Sequence, residues 1–329
     1  MRKSRVLAVG AVLTALALCG SVTASADPSG TPTYRDIAGV GSDTTQDVVN
    51  GLADSITVGG TKVLGSYDAS GSATITTKDP AVNANCTLNR PSGSGAGVTA
   101  LVNSLDAGNG CLQFARSSSN NSGNYVGKNL TYVPFAVDGL TYAVRSDSAI
   151  SKKLTLAQLT LIYNCQGGAN YIPLLPQFGS GTRAFFLSKL QIADSATLVG
   201  STGHTCLKDT DVNGQPILEN TGTYLTDPKH VAPYSIAQYQ SQAYGVIADV
   251  RAKAILASAD GVAPTSLNTS VPMNRNVYNV VPNAALGTAP YNTIFTGTGP
   301  GTICGSPDLI KKYGFAPNAT CGSTNLQTP

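Results

Sequence analysis

Three short segments combine glycines with hydroxyl side chains where an extended stretch gives way to a helical one. They are Gly39-Val40-Gly41-Ser42-Asp43-Thr44-Thr45, Gly93-Ser94-Gly95-Ala96-Gly97 and Gly179-Ser180-Gly181-Thr182-Arg183. A helix start presents unpaired N–H groups and a partial positive charge. Glycine lets the backbone approach a ligand without a Cβ in the way, and Ser and Thr add rotatable donors. Any one such turn is accounted for by a Ser or Thr that merely caps its helix. Three in one chain point to convergence on a single small anion.

Other chemistries find less support. No glycine-turn serine lies in a GxSxG elbow, and no Gly-Lys-Ser/Thr follows the glycines to make a nucleotide loop. His204 and His230 are the only histidines; one sits beside Cys206 and the other near a loop-to-strand junction, so both read as structural. Asp43 and Asp138 could pair as carboxylates, but nothing in the sequence sets them at catalytic separation. No CxxC spacing exists for a metal. The expectation is a binding protein rather than an enzyme, without metal or cofactor.

The turns need elements to hold them. Patterning predicts strands over 36–40, 112–115, 171–175 and 277–281, and an extended stretch over 132–144. Helices are predicted over 44–53, 97–105, 155–163, 182–190 and 306–313, with a helical region over 235–257. This alternation predicts an α/β architecture with mainly parallel pairing, and in such sheets ligand loops gather at the carboxyl ends of strands. Residues 27–33 read as a flexible leader and 323–329 as a loose tail.

The compartment is read from the N-terminus and the cysteines. Arg2, Lys3 and Arg5 precede an apolar run from Val6 to Leu18, and Ala24-Ser25-Ala26 offers small residues for cleavage before Asp27. This is a secretory signal over residues 1–26. Leu18 is a poor neighbour for a lipidated cysteine, so Cys19 is read as part of the discarded peptide. The formal charge of +3 resides in those three basic residues: 21 Lys plus Arg against 18 Asp plus Glu becomes 18 against 18. No basic field remains to attract nucleic acid. Cys86, Cys111, Cys165, Cys206, Cys304 and Cys321 form an even set in an exported chain, which implies disulfides. Pairing in chain order is favoured because each bond would close a local loop.

Taken in order, GVGSDTTQDVV, GSGAGVTALV, LQFARSSS, YVPFAVDGLTYAV, LTLAQLTLIY, PLLPQFGSGTRAFF and VAPYSIAQYQ resemble the phosphate-specific periplasmic-type solute-binding proteins, and within them a branch of secreted actinobacterial proteins. The resemblance spans residues 39–281. It implies a two-lobed type II periplasmic binding protein fold with two hinge-crossing strands, over 132–144 and 271–281. Lobe one would hold residues 31–137 and 271–329, and lobe two residues 138–270. The family's serine in the second turn falls on Ser94, its Ser-Gly-Thr on Ser180, Gly181 and Thr182, and its first turn on Asp43 and Thr44. The 232–235 segment would approach from the second lobe. A small oxyanion, most simply phosphate, is then the expected ligand of a secreted, monomeric protein, with an ABC permease as a possible partner.

Two positions depart from the family pattern. Its arginine before the GSGT turn is Pro176 here. Its aspartate, which accepts a proton from the ligand and so repels sulfate, is Ser118. Arg116 and Arg183 are the candidate replacement cations, since a guanidinium binds a tetrahedral oxyanion through paired hydrogen bonds. Without the aspartate, sulfate should be rejected less strongly. A changed ligand is the alternative, with Tyr34, Tyr132, Tyr142 or Tyr234 stacking on a sugar or organic phosphate. A secreted interaction protein without a small ligand is another.

Overall fold

The computed structural model describes residues 27–265, 267 and 269–328. The signal segment, Cys19 included, lies outside the described residues. One ten-stranded mixed sheet organises the chain. In chain order its strands are β1 (Ile37–Gly41), β2 (Leu64–Ser66), β3 (Phe114–Ser117), β4 (Leu130–Arg145), β5 (Ile172–Pro173), β6 (His230–Ser235), β7 (Ala254–Leu256), β8 (Met273–Pro282), β9 (Ala316–Pro317) and β10 (Gln327–Thr328). The helices are α1 (Gln46–Ser55), α2 (Ser94–Asp106), α3 (Leu156–Tyr163), α4 (Gly181–Lys189), α5 (Ile236–Ala243) and α6 (Pro307–Lys312).

The main path across the sheet runs β5-β6-β4-β8-β3-β1-β2, with β7, β9 and β10 also paired to β4. β1 is buried at all five residues and lies parallel between β2 and β3, as a continuous apolar run requires. β4 and β8 pair antiparallel from Met273 opposite Leu140 to Pro282 opposite Leu130, with a register shift at Val277/Tyr278. Both strands feed several hydrophobic clusters, two of them the largest. Val133, Phe135 and Val277 pack with Ile37, Leu52, Phe114 and Phe295. Leu140, Tyr142 and Met273 pack with Leu159, Tyr163 and Phe186.

Several expectations are corrected. Pairing is mixed rather than mainly parallel, because the long β4 takes antiparallel partners along both its edges. The helical region after Ser235 stops at Ala243, since Gly245 turns to φ +69° and β7 follows. The leader is tied down: Asp27 pairs with Arg90 at 2.7 Å, and the Ser29 carbonyl accepts from Arg35. The tail is tied as well, Gln327–Thr328 adding a strand against β4.

Disulfides join Cys86–Cys111, Cys165–Cys206 and Cys304–Cys321. Three such bonds fit an oxidising compartment. Among the described residues no helix is long and apolar enough to cross a membrane.

Glycines set how closely β1, α2 and β3 approach. A Cβ on Gly97 of α2 would lie 2.3 Å from the Gly41 Cα, and one on Gly39 would lie 2.3 Å from the Phe114 ring. Gly97→Ala should therefore destabilise the protein by about 1–3 kcal/mol, read as a lowered melting temperature. Gly123→Ala, where a Cβ meets nothing within 4 Å, should leave it unchanged.

Candidate functional site

The three glycine turns meet. The Gly95 N–H donates to the Gly179 carbonyl at 2.9 Å, joining the second turn to the third. Gly181 sits so tightly against the second turn that a Cβ there would lie 2.5 Å from Ser94 Oγ and 2.6 Å from Ser118 Oγ. Ser94 Oγ accepts from the Ser118 N–H at 3.0 Å. Thr44 Oγ1 of the first turn lies 3.3 Å from Thr182 Oγ1 of the third. Thr44, Ser94, Ser118 and Thr182 are fully buried. Ser180 is the N-cap of α4, accepting from the Thr182 and Arg183 N–H groups, so its hydroxyl does serve the helix.

At the centre of this cluster is a residue that no motif pointed to. Glu219 is the only glutamate in the chain and is 1% exposed. One oxygen of its carboxylate, Oε1, accepts from Thr44 Oγ1 at 2.6 Å and from Thr182 Oγ1 at 2.5 Å. The other, Oε2, accepts from Ser180 Oγ at 3.4 Å. Burial, and after it the charge of Glu219, pushes the Asp43 carboxyl well above its ordinary range. Burial and the neighbouring carboxylate both favour the protonated form of Asp43.

Arg275 is the cation of the site, and it too lay outside the sequence-based candidates. It lies directly across from Asp138 in the β4–β8 ladder and donates to Asp138 Oδ2 through Nη2 at 2.8 Å and Nε at 3.2 Å. Its Nη2 also lies 3.4 Å from Thr44 Oγ1, while Nη1 has no partner. Ser235 Oγ completes the support of Asp138 at 2.8 Å. Gln238 holds the first turn in place by donating to the Thr44 carbonyl at 2.7 Å and to Asp47 at 3.2 Å.

The two arginines singled out from sequence are corrected. Arg116 spends its donors on the Ser42, Gly41 and Tyr67 carbonyls and on Ser66 Oγ, bracing the first turn from behind. Arg183 pairs with Asp194 at 2.9 Å and Asp209 at 3.3 Å, and donates to the Pro176 and Ser195 carbonyls. It holds the loop beyond α4, one residue from the site but committed elsewhere. Asp43 and Asp138 do not form a carboxylate pair: Asp138 belongs to Arg275, and the neighbour of Asp43 is Glu219. Tyr132, Tyr142 and Tyr234 are core residues, the first two spending their hydroxyls on Asn121 and the Ser151 carbonyl. His204 bonds Asn164 and His230 the Tyr224 carbonyl, away from the cluster. Among the described residues no cluster of His, Cys, Asp and Glu could hold a metal.

No protein-family model matches the chain, and no curated protein matches it in sequence. Solved structures do. A phosphate ABC transporter substrate-binding protein from Clostridium perfringens, with bound phosphate, aligns at TM-score 0.55 and 16% identity, over 86% of this chain and 99% of that one. A human phosphate-binding apolipoprotein aligns at TM-score 0.50 and 13% identity, over 86% and 91%. The fold is thus the two-lobed type II periplasmic binding protein fold.

Two outcomes follow from the site's charges. Arg275→Met leaves a buried Asp138 unpaired and should cost about 3–5 kcal/mol, while adding Asp138→Asn should recover much of it; urea titration of the single and double variants checks this. Asp47, pushed up to about 6 by burial and the charge of Asp68, holds its proton more tightly folded than unfolded. Its ionisation penalty is therefore full above about pH 6 and fades as pH falls toward about 4. Asp47→Asn should stabilise the protein at pH 7.5, by no more than about 3 kcal/mol, with the gain shrinking as pH drops to 4.5 in thermal unfolding scans.

Proposed function

We propose that this protein is a secreted, non-catalytic solute-binding protein whose cleft takes a small oxyanion of the phosphate type. The observation that carries the reading is the convergence of Thr44 and Thr182 hydroxyls, from turns 138 residues apart, on one negatively charged oxygen. A cluster that solvates a carboxylate with hydroxyl protons, and places a guanidinium within reach, has the chemistry an oxyanion needs. Thr44, Ser94, Ser118, Ser180, Gly181 and Thr182 would form the contact set, with Asp43 and Arg275 beside them. Lobe one, residues 31–137 and 271–329, would close on lobe two, residues 138–270, about β4 and β8.

Asp43 bears on selectivity. A carboxylate facing the ligand accepts a proton from it and so disfavours sulfate. Burial biases Asp43 toward its protonated form, which weakens that repulsion and so the discrimination against a fully deprotonated oxyanion. Signal cleavage before Asp27 would release the protein outside the cell, where it could serve an ABC permease as a monomer.

Isothermal titration of the mature, phosphate-free protein tests the reading. Phosphate should give saturable heat, sulfate should bind within about tenfold of it (a gap of about 1.4 kcal/mol), and Ser180→Ala with Thr182→Ala should abolish both. A protein that neither binds phosphate nor gains thermal stability from it, as wild type and with Glu219 replaced by alanine, would rule the oxyanion out.

A further inference from the structure

We infer that Glu219 is a tethered anion occupying the oxyanion site of the closed protein, so that ligand can enter only as Glu219 leaves. This inference rests on the oxyanion reading of the cleft and adds a competitor carried by the chain itself. A hydroxyl has one proton to donate. While Thr44 and Thr182 give theirs to Glu219 Oε1, and Ser180 leans on Oε2, none of the three can donate to an incoming anion. The carboxylate also does what a bound ligand does in a closing cleft: it joins the first turn, at the end of β1, to the start of α4.

The surroundings are larger in donor capacity than a carboxylate can use. Ser42 Oγ, Thr45 Oγ1, Ser119 Oγ and Arg275 Nη1 are buried in or beside these turns without a partner. Such groups are costly to leave unpaired. A carboxylate brings two oxygens and a tetrahedral oxyanion four, so the surplus fits the larger anion better than the occupant.

Glu219 also has somewhere to go. It lies in irregular chain between the loop closed by Thr210 against Pro216 and the start of β6. Its neighbours Leu218 and Asn220 line a cavity of about 470 Å³ together with Gln46, Asp47 and Asp68. That cavity borders the residues on either side of Glu219. The main-chain tie of Glu219 to the sheet, from the Ser235 N–H to its carbonyl, is 3.3 Å long. A side chain rotating out of the cluster need not break it.

The apparent affinity for ligand is then the intrinsic affinity reduced by the fraction of molecules in which Glu219 is out. Titration of wild type, Glu219→Gln and Glu219→Ala with inorganic phosphate reads this directly. Gln keeps the shape and removes the charge; Ala removes the arm. We expect Glu219→Gln to bind at least about tenfold tighter than wild type and Glu219→Ala tighter still. Phosphate should also raise the melting temperature of Glu219→Ala more than that of wild type. In the wild type, saturating phosphate should shift the side-chain carboxyl resonance of Glu219, the sole glutamate of the chain, a readout that needs no variant to fold. Equal affinity in all three chains, with the Glu219 carboxyl resonance unmoved by phosphate, overturns the tethered-anion role and leaves the oxyanion site standing. No binding by any of the three overturns the oxyanion reading and the inference together.

Discussion

A sixteen-residue strand buried along nearly its whole length is the constraint from which the rest of this structure follows. Every N–H and C=O of such a strand needs a partner away from water. β4 meets that demand by pairing with β6, β7, β8, β9 and β10, five of the nine other strands of the sheet. Because it also contributes apolar side chains to both main cores, two separate hydrophobic clusters share one backbone. Its middle cannot be wholly apolar in function, for Asp138 lies there fully buried. A buried carboxylate must be paired or neutralised. The register of β8 puts Arg275 opposite it, and this pair, at the crossing point of the two cores, reaches Thr44.

The site built around that pair uses few formal charges. Its donors are hydroxyls on three turns, brought within contact by glycines at the points of closest approach. Gly97 against Gly41, Gly95 against Gly179 and Gly181 against Ser94 and Ser118 are all separations that a Cβ would violate or crowd. The arginines nearby brace the turns from outside: Arg116 holds the backbone of the first and Arg183 the loop that follows the third. Beside the hydroxyls stand the Arg275–Asp138 pair and the Glu219 carboxylate, and burial together with the Glu219 charge biases Asp43 toward its protonated form.

What the sequence made legible was local. Glycine and hydroxyl residues at a strand-to-helix junction are a signal carried by neighbours in the chain, and all three turns could be read from it. The mixed sheet could not, because the partners of β4 lie in distant segments, including a C-terminal pair of residues that read as a loose tail. Arg275 and Glu219 were missed for the same reason. Their contacts with Thr44 span 231 and 175 residues. Arg275 alternates with Met273 and Val277 on the buried side of β8 in the structure, and only the register with Asp138 gives it a partner. Glu219 lies in a loop without pattern; its one distinguishing mark was being the sole glutamate. Arg116 misled because a buried arginine beside a ligand loop can serve either the ligand or the backbone, and only geometry decides.

The disulfides have a consequence in terms of covalent topology. Cys86–Cys111 closes before β4 begins, Cys165–Cys206 lies wholly between β4 and β8, and Cys304–Cys321 lies wholly after β8. As a graph, the chain is three small rings strung on one thread, with no ring enclosing either crossing strand. A proteolytic nick within any ring leaves the pieces covalently joined. The molecule is armoured in its loops and carries no covalent bridge, among its described residues, from one side of β4 or β8 to the other.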